Sequence, residues 1–232
     1  MYVTISEEFI EKSADVPTLF RQIEEQGYAV LPGIATGRQT ESVASDLGEP
    51  MAPWHDAVMQ ALTPRAASTP NTYSGIFGLG RFPFHTDLAH WSLPPRFLLL
   101  RCVRGYADVP TLLMDGHKIA SAVGRDTMAR ALVKPRRRQH GELRMHRLLQ
   151  AVDGGEVIRW DEVYLKPASP VGNQVSVRLQ SLIDQSAPTP VAMIDDGDLL
   201  IIDNWRMLHA RPAIAQNRRD RRLERVYLRS LK

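Results

Sequence analysis

Two apolar runs set the scale of the fold: Phe97-Leu98-Leu99-Leu100, continuing past Arg101 into Cys102-Val103, and Leu199-Leu200-Ile201-Ile202. Both are too short for a helix and lack a polar face, which predicts strands covered on both sides. A different spacing precedes them. Phe9, Ile10, Val16, Leu19, Phe20 and Ile23 recur as on a helix within residues 6–27, with Asp15-Val16-Pro17 as a start signal and Gly27 as the stop. Tyr28–Leu31 then predicts a short strand, and Thr36–Leu47 a second helix closed by Gly48. Residues 51–70 show no periodicity and predict a loop.

Further strands are predicted at Phe84–Asp87, Thr111–Met114 and Val157–Asp161. Helices are predicted from Asp115 to Val123, over Asp126–Leu132, and over Asn173–Ile183 with Val175, Val177, Leu179 and Leu182 as its apolar stripe. Asp195-Asp196-Gly197-Asp198 predicts a hairpin turn joining Val191–Ile194 to Leu199–Asp203. Short strands punctuated by Gly and Pro, with helices at the N-terminus and in mid-chain, predict a mainly β fold with helices (α+β). The expected form is a double-stranded β-helix, or jelly roll, with N-terminal and inserted helices. One domain is expected over 1–232, with a helical brace over about 1–50 and the β core over about 71–232.

Composition narrows the function. The 44% hydrophobic content is enough for a sizeable core. The 29 basic and 26 acidic residues leave a net charge of only +3, which gives no reason to expect a nucleic-acid partner. Cys102 is the single cysteine, so no internal disulfide is possible, and its apolar strand makes it a buried small residue. Met1-Tyr2-Val3-Thr4 leads into acidic residues, and no apolar run approaches a bilayer span, so a cytoplasmic chain with no membrane contact is expected. The dense run Lys134-Pro135-Arg136-Arg137-Arg138 reads as a solvated face, with contact to an anionic substrate or partner as the sharper alternative.

The candidate chemistry lies in Phe84-His85-Thr86-Asp87 and in Asp203-Asn204-Trp205-Arg206-Met207-Leu208-His209. Side chains two apart on an extended strand leave the same face, so His85 and Asp87 can aim at one place while Thr86 points away. With His209 they make two imidazoles and one carboxylate, a facial set that leaves coordination positions open on iron(II). His-x-Asp alone is a common pattern. Context adds to it: past His209, Arg221, Leu223, Arg225 and Tyr227 would share one face of an extended segment. Arg221 and Arg225 would then stand about 13 Å apart at ~3.3 Å per residue. Guanidinium groups there suit the carboxylates of a dicarboxylic co-substrate.

Other signals are weaker. His55 and His90 read as loop or substrate-proximal histidines and His117 as solvent-facing, while His140 and His146 have no metal-ligand spacing. Gly75, Gly78 and Gly80 do not form the dinucleotide fingerprint and read as turn or close-approach positions.

Taken in order, Phe84-His85-Thr86-Asp87, Asn204 to Arg211, and Arg221-Arg222-Leu223-Glu224-Arg225-Val226-Tyr227 resemble the iron(II)/2-oxoglutarate dioxygenases of the taurine dioxygenase and clavaminate synthase group, over about residues 70 to 230. The resemblance implies that His85, Asp87 and His209 bind iron and act as the catalytic centre. Arg221 and Thr111 would hold the distal carboxylate of 2-oxoglutarate, and Arg225 an acidic group of the substrate. It also implies O2 as co-substrate and oxidation of an unactivated C–H bond, with hydroxylation first, in a small carboxylate-bearing amino acid or specialised metabolite. The clavaminate branch often has Glu where this chain has Asp87, and an aspartate there argues against the related halogenases. Two rivals use the same residues differently: a zinc-dependent hydrolase built on the triad, and a non-catalytic jelly-roll binding protein.

Overall fold

The computed structural model describes residues 16–53, 57–66, 69–138 and 141–232. The predicted helical positions Phe9 and Ile10, the loop residues Trp54 and His55, and His140 lie outside them. Six α-helices are described: α1 (Val16–Gln26), α2 (Thr40–Leu47), α3 (Tyr73–Phe77), α4 (Gly116–Val123), α5 (Arg125–Arg130) and α6 (Pro170–Gln185). The strands in the first half are β1 (Tyr28–Leu31), β2 (Gly48–Met51), β3 (Met59–Leu62), β4 (Phe82–His85), β5 (Phe97–Arg104) and β6 (Thr111–Asp115). Mid-chain come β7 (Leu132–Pro135), β8 (His146–Arg147), β9 (Leu149–Val152), β10 (Gly155–Ile158) and β11 (Leu165–Pro167). The last four are β12 (Thr189–Val191), β13 (Leu199–Asp203), β14 (Met207–Arg211) and β15 (Arg222–Leu231).

Two antiparallel sheets carry the architecture. One runs β1-β13-β5-β15-β2 with β3 also paired to β15, and the other runs β12-β6-β14-β4. Period-2 alternation explains how they pack. Leu98, Leu100 and Cys102 of β5, with Leu200 and Ile202 of β13 and Leu223 and Tyr227 of β15, meet Leu113 and Met207 of the smaller sheet in one buried cluster. The alternate residues Phe97, Leu99, Leu199, Ile201, Val226 and Leu228 face the other way, onto Leu19 and Ile23 of α1 and Val43, Ala44 and Leu47 of α2. The outer face of the smaller sheet is covered in turn. Phe84, Met114, Leu208 and Ala210 pack with Ile119 and Val123 of α4 and with Val175, Leu179 and Ile183 of α6.

Several expectations are corrected. Residues 59–62 form β3 against β15, a pairing invisible in a stretch with no alternation of its own. The Asp195–Asp198 turn is not a hairpin, because β12 pairs with β6 while β13 pairs with β1 and β5. The turn instead carries the chain from one sheet to the other. It is held by the Asp198 carboxylate, which accepts from the backbone N–H groups of Gly33, Ile194 and Asp195 at 3.0 Å each. Apolar patterning marks both flanks as buried without saying in which sheet. Two residues placed on apolar stripes, Phe20 and Val177, are exposed. His117 is half-buried rather than solvent-facing.

Candidate metal centre and its cavity

The two histidines meet because their strands are neighbours. β14 pairs with β4, and His209 and His85 are directly opposed in register, with ring centroids 4.5 Å apart. Asp87 lies just beyond β4 in a turn rather than on the strand, so strand alternation is not what aims it. Asn204 holds its backbone. The Asn204 side-chain carbonyl accepts from the Asp87 N–H at 2.7 Å, and its amide donates to the carbonyls of Asp87 and Pro95 at 3.0 and 2.9 Å. Thr86 points the other way, as alternation predicts: its N–H donates to Trp160 at 2.8 Å, and its hydroxyl accepts from the Trp160 N–H at 3.2 Å.

One ligand atom from each of His85, Asp87 and His209 lies within 4.8 Å of the others. Asp87 Oδ1 stands 3.4 Å from Nε2 of His85 and 3.6 Å from Nε2 of His209. Nδ1 of His85 is 2.9 Å from the Pro83 carbonyl. Since a carbonyl only accepts, Nδ1 carries the proton, and the Nε2 lone pair is left facing the centre. Two imidazole nitrogens and one carboxylate oxygen converging in a buried pocket fit a divalent transition metal with positions to spare.

Burial works against the Asp87 carboxylate, but the Arg225 guanidinium and the two imidazoles outweigh it and hold its pKa well below the usual range. His85 is shifted upward: burial opposes the charged ring and the Asp87 carboxylate overcomes it. His209 goes down, through burial and the neighbouring His85.

The far oxygen of the carboxylate is also engaged. Asp87 Oδ2 accepts from the Tyr227 hydroxyl at 2.8 Å and from Arg225 Nη1 at 3.0 Å. Arg225 also donates to Gln60 Oε1 at 2.5 Å. Arg225 makes no ion pair with its sequence neighbour Glu224; its acid is Asp87. Glu224 points to the opposite face of β15, onto Arg222 at 2.8 Å, Arg101 at 3.6 Å and the Thr40 hydroxyl.

A cavity of about 870 Å³ opens from the three ligands. Thr111, at the start of β6, and Arg221, just before β15, both line it and both are buried. Arg221 has no carboxylate within ion-pair distance among the described residues, and its Nε has no hydrogen-bond partner. Burial pulls its pKa down to about 10, which still leaves it charged at neutral pH. A buried guanidinium without an acid is costly unless an anion is to arrive.

Some residues at the cavity carry no local signal in sequence. Tyr73 of α3 stacks on the His85 ring at 4.4 Å. Asp161 is buried in the wall, its pKa raised by burial, with Oδ1 accepting from the N–H groups of Val163 and Tyr164 at 2.8 Å. Arg211 lies over the Phe82 ring at 3.6 Å and donates to the carbonyls of Gly78 and Gly80 at 2.9 and 2.7 Å. Only the place of Gly78 and Gly80 in a glycine-rich stretch hints at this close backbone approach.

No protein-family model matches the chain. Clavaminate synthase 2 of Streptomyces clavuligerus is 26% identical over 162 residues, covering 63% of this chain and 49% of that protein, so the chain spans about half the length of this relative. Among solved structures, asparagine oxygenase in complex with Fe(II), 3-hydroxyasparagine and succinate covers 94% of this chain and 79% of its own, with a TM-score of 0.66 at 16% identity. PvcB, described as an Fe, alpha-ketoglutarate dependent oxygenase from an isonitrile synthetic pathway, covers 92% and 79%, at 0.67 and 20%. The non-heme iron oxygenase OrfP with Fe and alpha-ketoglutaric acid covers 94% and 79%, at 0.68 and 21%. The chain is therefore similar in sequence to clavaminate synthase 2 and shares its fold with asparagine oxygenase, PvcB and OrfP.

Proposed function

We propose that the chain is an iron(II)- and 2-oxoglutarate-dependent oxygenase that uses O2 to hydroxylate a C–H bond of a small, carboxylate-bearing amino acid or specialised metabolite. One observation carries the reading: a buried His-Asp-His set and a buried arginine lacking an acid share a single cavity. The zinc hydrolase reading has no use for such an arginine. We read the two facing sheets as a double-stranded β-helix in one domain, its core over about 71–232 and its helical brace before it.

In this reading His85, Asp87 and His209 hold iron(II), which supplies oxygen activation coupled to decarboxylation of 2-oxoglutarate. The protein's share is placement. Arg221 is the charge that receives the distal carboxylate of 2-oxoglutarate, with the Thr111 hydroxyl as its polar neighbour, and burial strengthens that pairing by keeping water out. Asp87 would hold the metal through Oδ1, since Oδ2 is taken up by Tyr227 and Arg225. In the ligand-free chain Arg225 rests on Asp87; its position in the cavity wall leaves it within the substrate's side of the site, where it is assigned the substrate carboxylate. The cavity wall then decides which hydrogen lies nearest the centre.

Titration of the purified protein with iron(II) and 2-oxoglutarate under anaerobic conditions tests the proposal. A visible charge-transfer band that requires both is expected; its absence at saturating concentrations of each refutes the oxygenase reading. The same titration with zinc(II) gives no band in either case and serves as the control.

A further inference from the structure

Away from the cavity, many guanidinium groups meet acids, Arg38 with Asp46, Arg104 with Asp220, Arg125 with Glu156, Arg206 with Asp115 and Arg218 with Asp108, and others donate to backbone carbonyls, Arg147 to Ala129 and Arg178 to Ala122. Around the opening of the cavity, four stand together without an acid among the described residues. Arg65, Arg136, Arg137 and Arg138 line it and are exposed, and none lies within ion-pair distance of a carboxylate among the described residues. Among the described residues, their one polar side-chain contact is a long one, from Arg138 Nη1 to the Gly141 carbonyl at 3.5 Å.

We propose that these four arginines are a recognition site for a multiply charged oxyanion, a phosphate ester or a carboxylate cluster, carried by the substrate at the end remote from the carbon that reacts. The proposal deepens the oxygenase reading and rests on it for the place of the reacting carbon.

Placement supports it first. The run Arg136 to Arg138 leaves the end of β7, whose Pro135 is registered with Leu165 of β11, and the Arg136 N–H donates to the Tyr164 carbonyl at 2.8 Å. Tyr164 in turn lies against Tyr73 and His90 in the same wall, at ring distances of 5.5 and 5.6 Å. The basic run is thus fastened by backbone pairing at the rim of the cavity that contains the metal ligands, rather than lying on a remote solvated face.

Charge supports it next. Seven arginines and two aspartates line the cavity, with no lysine or glutamate. Asp87 is taken up by the metal and by Arg225, and the two carboxylates of 2-oxoglutarate match the two charges of the metal. Filling the inner site therefore leaves the rim as positive as before. A field of one sign at the neck of a low-dielectric cleft draws in ligands of the opposite sign, and guanidinium groups bind phosphate or carboxylate oxygens in pairs. Size agrees: about 870 Å³ lies toward the upper end of the ~300–1,000 Å³ usual for small-molecule sites, room for a substrate that reaches from the centre to the rim. A net charge of +3 for the whole chain argues for a local anion site over a nucleic-acid surface.

The test uses phenyl phosphate as the dianionic probe, phenol as its neutral counterpart and benzoate as the carboxylate. Each is titrated calorimetrically, at constant ionic strength and without oxygen, into the full chain loaded with iron(II) and 2-oxoglutarate. Saturable binding of phenyl phosphate, none of phenol, and at least tenfold weaker binding in the Arg136→Gln/Arg137→Gln variant are expected. Arg229→Gln, an exposed arginine beside Glu49, should change nothing. Benzoate binding equal to that of phenyl phosphate assigns the rim to carboxylates, and weaker binding assigns it to phosphate. No binding, or binding indifferent to the rim variant, overturns the proposal, as does tight binding of a single-stranded oligonucleotide with phenyl phosphate inert. The charge-transfer band in the same samples reads the inner centre separately. A band without rim binding removes this inference alone, and rim binding without a band removes the oxygenase reading alone.

Discussion

The hydroxyl of Tyr227 donates to Oδ2 of Asp87 at 2.8 Å, while Oδ1 of the same carboxylate faces the two imidazoles. The contact crosses from the larger sheet to the turn after β4, so the inter-sheet packing itself orients the ligand. Burial holds the Tyr227 pKa well above its ordinary value, which keeps the phenol a donor. Partners that hold a ligand's outer atom typically contribute about 10–100-fold to metal affinity. Tyr227→Phe is therefore expected to weaken iron(II) binding by about that factor, measured by competition with a chromophoric chelator. Unchanged affinity would mean that Arg225 alone suffices to orient the carboxylate.

Arg221 gives a prediction with two opposite signs. Arg221→Leu removes the buried charge proposed to receive the distal carboxylate, so the 2-oxoglutarate concentration needed to saturate the charge-transfer band should rise by at least ~100-fold, with iron(II) affinity nearly intact. Without co-substrate the same variant should unfold at an equal or higher temperature, because an unpaired buried guanidinium has been exchanged for an apolar side chain. A large loss of stability in the co-substrate-free protein would show that Arg221 is structural.

What the sequence makes legible follows from range. His85 and Asp87 are two residues apart, and His209 lies in the strand that follows the apolar run Leu199–Ile202, so the triad can be read from local pattern together with the resemblance. The same holds for the central strands, whose alternation survives in Leu98/Leu100 against Phe97/Leu99. Contacts across sheets are a different matter. Gln60 reaches Arg225 only because β3 pairs with β15, and nothing within 51–70 announces that strand. Tyr73 stacks on His85 from a five-residue helix too short for periodicity to show. The basic run at 136–138 is visible in sequence, yet its role depends on where the end of β7 lies relative to the cavity, which composition does not encode.

Asp115 ties three elements together. Its carboxylate caps α4 through the His117 N–H at 2.9 Å and pairs with Arg206 at 3.1 and 2.8 Å, and Arg206 reaches on to the carbonyls of Glu24 and Glu25 in α1. Burial opposes the charged carboxylate, but the Arg206 and His117 bonds outweigh it and lower the pKa. A carboxylate with a lowered folded-state pKa stabilises the fold above its unfolded pKa of about 3.9, and that contribution is lost as pH falls through the folded value. Asp115→Asn should accordingly cost about 1–3 kcal/mol at pH 7, by chemical denaturation, and less as pH drops below about 4. A difference from the parent chain that stays constant between pH 7 and pH 3 would rule out the ion pair as its source.

Asn204 offers the sharpest separation of ligand positioning from ligand identity, because it touches no metal-binding atom. It satisfies the N–H and carbonyl of Asp87 and the carbonyl of Pro95, all in the interior. Asn204→Ala leaves these three backbone groups unpaired, at about 1–3 kcal/mol for each that water cannot reach, so a loss of roughly 3 kcal/mol is expected. Asn204→Asp keeps the acceptor for the Asp87 N–H but loses the amide donor and places a second carboxylate beside Asp87, so it should not rescue. If orientation of the Asp87 backbone is what aims its carboxylate, the alanine variant, assayed at a temperature where it remains folded, binds iron(II) at least ~10-fold more weakly than the parent. Parent-like iron affinity in a demonstrably destabilised Asn204→Ala protein would place the aiming of Asp87 wholly with Tyr227 and Arg225.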